Sequence, residues 1–405
     1  MNLLNKENEK LTSSFIYKPY SAFYAYKLRK FRTYLQKLRS EVELRLHRKT
    51  KSPVDKSKIK RILIVKDEGM GDMLIVTALI RNLAKAGYIV DVLATEFNRG
   101  VIAFNPHVNE ILTSHEAYKD RHYDLVMDVR FAVRLDTMER MTFCQDIPCD
   151  YLMTFNRSNF SCYDISLDFY EEKQHVTRVL DMFLNYLGIY GSDLSYDACP
   201  DAPSYDFGMQ HVHQWRTKGS PLVAINPYAS HTNRDMSTTQ LQALAQAILA
   251  RYPQAQIVCI GLYYRLSDLH LPGVTVFPTE MITQVMPIIE SADLVITPDT
   301  FAVHIASAYK KPTLALYVPT LRNPVNPKET IKRDFYVNRY LLENEFFDAP
   351  RIQAGVRPKQ VLLIEDLFAP NNINATQLIS PGMNVSDFPA PLLIEHALQI
   401  LGNNF

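Results

Sequence analysis

The sequence predicts an α/β protein: two Rossmann-like domains facing a cleft, preceded by a basic helical extension. Short apolar runs alternate with stretches of helical period, the pattern of parallel strands covered by helices on both faces. This alternation comes as two series, one from Arg61 and one from Pro221, with a segment rich in Asp, Pro, Ser and Gly between them. At 405 residues the chain also exceeds what one hydrophobic core holds. The expected division is an extension over 1–58, a first domain over 59–190, a linker over 191–220, a second domain over 221–385 and a closing helix over 386–405.

Composition narrows the function classes. With 47% hydrophobic and 21% charged residues the chain folds rather than staying disordered. A net charge of +1 gives no sign of a nucleic-acid partner. Five cysteines, odd in number and without CxxC spacing, argue against a disulfide frame or a zinc site and fit a reducing compartment. No run approaches the roughly 18 apolar residues of a spanning helix, and the polar start MNLLNKENEK lacks a signal-peptide core. A cytoplasmic protein is expected.

Ten Lys and Arg against two acids lie between Lys27 and Lys51, interleaved with aromatic residues and leucines. Phe31, Leu35, Leu38 and Val42 keep helical spacing, so residues 20–51 read either as an element for an anionic membrane surface or as a helix packed on the body. Ser52-Pro53 and the lysines to Lys60 form a linker.

The first series opens with the apolar run Ile62–Val65, the turn Glu68-Gly69-Met70-Gly71-Asp72 and a helix over about 71–86, stopped by Gly87. Strands follow at 88–94, 108–112, 123–129 and 151–155, with a short helix at 101–104 and a longer one over 171–187. In the second series strands are expected at 222–226, 256–261, 274–277, 293–297 and 312–318. Helices are expected from Ser237 or Thr238 to Arg251, near 281–290 and over 302–309. Weak periodicity leaves 320–385 unassigned apart from a strand-like VLLIED at 361–366, and a helix from about Pro391 closes the chain.

Three loops at strand carboxyl ends are candidate sites, because open α/β sheets hold ligands there. Gly69 and Gly71 let a ligand approach the backbone, and Met70 and Asp72 complete that turn. Asp72 reads either as a helix cap or as a functional carboxylate. In the second series Asp299 and Thr300 precede a helix whose free N–H groups suit an anion, with His304 one turn on; N-capping is the competing reading. Between Tyr228 and Arg234 the loop carries Ser230 and Arg234, the latter well matched to phosphate. Neither GxxxxGK[ST] nor a post-strand GxGxxG is present, which argues against P-loop ATPases and nicotinamide dehydrogenases, and HExxH and GxSxG are missing too.

The stretch RILIVKDEGMGDMLIVTALIRNL resembles the amino-terminal signature of the family 9 glycosyltransferases, and DVLATEFNRGVIAFNPHVNEIL continues the match. INPYASHTNRDMSTTQLQALAQAI and SADLVITPDTFAVHIASAYKKPTLALYVPT resemble the donor-side motifs of that family, so the likeness spans about 60–320. The resemblance implies a GT-B fold with the acceptor mainly on the first domain and the nucleotide-sugar on the second. It further implies inverting transfer without an essential metal or cofactor, and a cytoplasmic enzyme peripheral to the inner membrane. The donor is a nucleotide-sugar, ADP-heptose being the lead, and the acceptor a lipid-linked or core oligosaccharide of a surface glycan. By the same resemblance Asp72 is the general base, and Ser230, Arg234, Asp299, Thr300 and His304 bind the donor. Phe301 stands where the family has glycine, and Arg234 where it commonly has lysine. Those departures keep two other classes open, a non-catalytic nucleotide or glycan binder and a nucleotide-sugar epimerase.

Overall fold

The structure, a computed structural model, describes residues 53–131, 146–155, 162–169, 175–216, 219–319 and 364–404, together with Leu35 and Cys144. Apart from Leu35, the proposed membrane-facing stretch 20–51 thus lies outside the described residues, as do 320–363. Twelve described strands form two six-stranded sheets, and every pairing is parallel.

The first sheet holds β1 (Arg61–Val65), β2 (Ile89–Leu93), β3 (Glu110–Leu112), β4 (Tyr123–Asp128), β5 (Cys149–Phe155) and β6 (Ile165–Leu167), in the order β3-β2-β1-β4-β5-β6. The second holds β7 (Leu222–Ile225), β8 (Gln256–Leu262), β9 (Thr275–Thr279), β10 (Leu294–Pro298), β11 (Thr313–Tyr317) and β12 (Ala375–Ile379), in the order β12-β11-β10-β7-β8-β9. Counted from its own first strand, each sheet has the doubly wound order 3-2-1-4-5-6. Chain direction across each sheet therefore switches at one point, between β1 and β4 in the first and between β7 and β10 in the second. Those central strands are the apolar runs read from sequence, and four of the five residues of β1 and all of β7 and β10 are buried.

Helices follow the strands. α1 (Met70–Lys85) buries Met73–Arg81 and Leu83 and ends at Gly87, whose φ of +95° closes the helix as only glycine does readily. α2 (Thr177–Tyr186) covers the first sheet, and α3 (Ala202–Trp215) follows. α4 (Thr238–Arg251) begins with a full capping box between Ser237 and Gln240, worth about 1 kcal/mol. The short α5 (Tyr263–Leu266) and α6 (Met286–Ser291) precede α7 (Phe301–Ala308). α8 (Ile364–Leu367) and α9 (Ala390–Asn404) complete the described chain.

Several expectations need correcting. The segment 191–220, read as linker, contains α3. Its Pro, Asp and Ser are helix-start chemistry: Asp201 caps the helix by accepting from the Ser204 N–H, with proline in the first turn. Gly208 sits on that helix because a Cβ there would lie 2.3 Å from Pro287. Of VLLIED, the described part is helical, since a short apolar run fits either state. The expected helix at 101–104 is one 3-10 turn, Arg99–Val101. β6 and β12 are edge strands whose partly exposed residues give no continuous apolar run.

The chain passes between the two sheets along adjacent tracks. Arg81 of α1 grips the outgoing track, donating to the carbonyls of Asp193 (2.8 Å) and Ser195 (2.7 Å) and pairing with Asp197. The second track, which leads into β12, is tied to α2 by Val176 N–H to the Leu367 carbonyl (2.8 Å) and to the second sheet by Tyr317 O–H to the Phe368 carbonyl (2.6 Å). Asn371 Nδ2 joins the tracks at the Leu194 carbonyl (2.8 Å).

Candidate active site

All three sequence-predicted loops lie at the two switch points. The turn 66–72 leaves β1, the loop 226–235 leaves β7, and Asp299-Thr300 leave β10 for α7. Gly69 is the residue before α1 and has extended backbone, with φ −67° and ψ 163°. Met70 and Gly71 begin the helix, and Asp72 is its third residue. Asp72 is thus not the cap itself, although its carboxylate accepts a hydrogen bond from the Gly69 backbone.

Gly71 brings the two halves together. A Cβ on it would stand 2.8 Å from Cδ2 of His304 and 3.5 Å from Cα of Phe301. The amino-terminal turns of α1 and α7 therefore touch, and only a residue without a side chain permits it. Gly69 has a related constraint, since its Cβ would meet Oδ2 of Asp72 at 3.0 Å.

Around Asp72 the charges are arranged unevenly. Burial pushes its carboxyl up to about 6, the Lys66 ammonium acts against that rise, and the charges of Glu68 and Asp299 add to it. Lys66 Nζ is 3.9 Å from Oδ1 of Asp72, but its direct partner is Glu68. The ammonium also donates to the Val129 carbonyl (3.2 Å) and lies 3.4 Å from the centre of the Phe131 ring. Glu68 in turn accepts from the Phe131 N–H (2.8 Å). Both side chains are buried, and breaking such a pair by removing one partner costs about 3–5 kcal/mol. Asn98, also buried, clamps the turn from behind by donating to the carbonyls of Lys66 (3.0 Å) and Glu68 (2.9 Å). Lys66, Glu68 and Asn98 were not singled out from sequence; Lys66 and Glu68 lie inside the quoted signature, while Asn98 gives no local signal.

Across the cleft Asp299 is held firmly. Arg234 Nη1 donates to its Oδ2 (2.6 Å) and to its carbonyl (3.0 Å), and Nη2 reaches Ser230 Oγ (3.2 Å). Burial raises the Asp299 carboxyl and the Arg234 guanidinium pulls it back. Ser230, Arg234 and Asp299 are thus one cluster, as their loops suggested. Thr300 caps α7, accepting from the Ala302 N–H (3.2 Å) and from Asn226 Nδ2 (2.7 Å), with Thr297 Oγ1 at 3.0 Å. Its hydroxyl is already engaged within the protein, and so are the Ala302 N–H and the Val303 N–H, which donates to the Thr300 carbonyl (3.2 Å).

His304 is 4% exposed and packs edge-on to Tyr196, with ring centres 5.9 Å apart. Burial, followed by the charge of His175, holds its pKa down to about 3, so the ring is neutral at physiological pH. Its Nδ1 is buried without a hydrogen-bond partner among the described residues. Phe301 is half-buried and packs against the large apolar cluster that the two sheets share. Arg265, unremarked in the sequence, shapes the Arg234 loop by donating to Asp235 Oδ2 (2.6 Å) and to the Ala229 carbonyl (3.1 Å).

Among the described residues no group of three or more His, Cys, Asp or Glu side chains is placed to hold a metal ion. No described helix is long and apolar enough to cross a membrane.

Comparison with known proteins gives a consistent picture. The family model for glycosyltransferase family 9 (heptosyltransferase) matches residues 119–340. A protein of Escherichia coli K12, provisionally named lipopolysaccharide heptosyltransferase 4, is 23% identical over 295 residues, covering 68% of this chain and 79% of its own. Among solved structures, a family 9 glycosyl transferase from Veillonella parvula superimposes with a TM-score of 0.64 at 14% identity, over 87% of this chain and all of its own. E. coli ADP-heptose lipopolysaccharide heptosyltransferase II gives 0.58 at 15% identity, over 85% of this chain and 99% of its own. These similarities show that the two-sheet fold is of the GT-B kind.

Proposed function

This chain belongs to glycosyltransferase family 9, and on that footing we propose that it moves a sugar from a nucleotide-sugar to the core of a lipopolysaccharide or lipooligosaccharide, or to a related surface glycan. ADP-heptose is the lead donor, because the relative of known structure is named for it and the curated relative is named a heptosyltransferase. Transfer inverts the anomeric centre and needs no metal, and the enzyme works at the cytoplasmic face of the inner membrane.

The observation that carries the proposal is the contact of Gly71 with His304. It brings the turn that carries Asp72 against the helix that follows Asp299, whose carboxylate Arg234 holds. An anomeric carbon between these walls has a base on one side and a place for a leaving diphosphate on the other. Asp72 takes the proton of the acceptor hydroxyl while that oxygen forms its bond to the anomeric carbon. The bond from that carbon to the phosphate oxygen breaks, and its electron pair leaves with the nucleoside diphosphate. Arg234 and the positive dipole end of α7, with the Phe301 N–H at its first position, hold the charge that develops there. A carboxyl near 6 suits the base, being ionised at neutral pH yet basic enough to accept the proton.

The test is a transfer assay with ADP-heptose and a deacylated heptose-bearing core oligosaccharide, with and without EDTA. ADP release that requires the acceptor, resists EDTA and gives product of inverted anomeric configuration supports the reading. Acceptor-independent release of free sugar points to an epimerase-type enzyme instead. Binding of the donor without turnover on any glycan acceptor points to a non-catalytic binder, the class that Phe301 keeps in view.

A further inference from the structure

A carboxylate in the cleft is useful only while its charge is controlled, and the charge opposite Asp72 is not simply placed beside it. Lys66 is a buried cation with a more intimate partner than Asp72: Glu68 bonds it directly, whereas Asp72 Oδ1 is 3.9 Å away. The ammonium is also pinned by the Val129 carbonyl and the Phe131 ring, so it holds one position between two carboxylates. Glu68 is fixed in its turn by the Phe131 N–H. Nothing in catalysis requires a second acid at this place, and as a bare ion pair it gives little net stability for the desolvation it costs.

We propose that Lys66 and Glu68 are a positioning pair for Asp72: the Lys66 charge, 3.9 Å from Oδ1, favours its ionised form, and Glu68 sets how much of that positive charge Asp72 feels. The pair works as a fixed divider of one charge between two carboxylates. Glu68 takes the larger share through direct contact, leaving Asp72 basic enough to accept a proton. Without Glu68, Lys66 would make Asp72 a weaker base; without Lys66, burial would raise the Asp72 carboxyl further.

Other groups face Asp72 and are part of the account. Asp299 adds negative charge from the opposite wall, reduced by its own bonds to Arg234. His304, against Gly71, is neutral and contributes none. Farther back Arg130 is paired with Asp128 (2.7 Å) and stands 3.9 Å from Asp67. The Gly69 backbone N–H favours the ionised form of Asp72. Lys66, Asp67 and Glu68 all share the turn of Asp72, and of these Lys66 and Glu68 act on it in opposite senses.

The catalytic consequence rests on Asp72 being the base, but the direct test does not. The midpoint of the Asp72 carboxyl, followed by carbon-13 NMR of aspartate-labelled protein and assigned by its loss in Asp72→Asn, is expected near 6. Glu68→Gln keeps the shape and the acceptor for Phe131, and should lower that midpoint by about one unit. The double variant Lys66→Met/Glu68→Gln removes both charges without stranding either, and should raise it, Lys66 being the larger influence. The acid limb of the pH profile for kcat/KM, measured with ADP-heptose and core oligosaccharide, should move in the same two directions. A midpoint that stays in place or rises in Glu68→Gln overturns the proposal, and that variant alone decides if the double one does not fold. If Asp72→Asn retains transfer, the base reading falls and the catalytic consequence with it, while the titration still reports on the pair.

Discussion

Asp72 and Asp299 occupy matching places, each after a central strand at the switch point of its own sheet, yet their surroundings differ in kind. Asp299 has Arg234 to itself, bonded at 2.6 Å and again through the backbone carbonyl. Asp72 has a cation at 3.9 Å that is already engaged by another acid. Full pairing makes a carboxylate an anchor: it fixes a loop and holds a guanidinium ready. Partial pairing leaves it able to take a proton. The two aspartates thus differ in how fully they are paired, and on the proposed reading one serves the nucleophile and the other the leaving group.

The comparison is broken most severely by Asp72→Asn. With donor binding intact, kcat should fall by about 10²–10⁴-fold, the usual contribution of a positioned general base, while the ADP-heptose dissociation constant from calorimetry stays within twofold. An unchanged kcat would take Asp72 out of the mechanism. Arg234→Ala should show the converse. Loss of charge-assisted hydrogen bonds worth about 1.5–3 kcal/mol weakens donor binding roughly 10–100-fold in the same calorimeter. An unaltered constant would mean that Arg234 only braces Asp299. The smallest effect is expected from Gly71→Ala, which removes neither charge but pushes a methyl into His304. Overpacking of about 1–3 kcal/mol, offset by about 1 kcal/mol of improved helix propensity, leaves a net loss near 1 kcal/mol in urea unfolding. A stabilised variant would show that the α1–α7 contact is slack.

Most of this architecture was legible because central parallel strands must be apolar on both faces. β1, β7 and β10 announce themselves as ILIV, LVAI and LVIT, and the residues after them are where a doubly wound sheet puts its ligands. Gly71 stood out by its type, although its partner, His304, is 233 positions away and no local pattern connects them. The Lys66–Glu68 pair was missed for the opposite reason. Adjacent charges in a turn read as solvated, and only tertiary burial makes them a pair. At β6 and β12 the apolar signal is weak because edge strands need less of it. In α3 the helix-start residues Asp201, Pro203 and Ser204 read equally as loop residues, since Asp, Ser and Pro serve both.

The two tracks between the sheets have a mechanical meaning. One connection would leave the halves free to swivel and slide. Two connections lying side by side, bonded to each other at Asn371 and Leu194 and riveted to α1 by Arg81, behave like the two knuckles of a door. Such a joint favours swinging over sliding or twisting. With sliding and twisting opposed, the approach of Gly71 to His304 is held at one place. On the proposed reading, the alignment of base and leaving group is then built into these two connections.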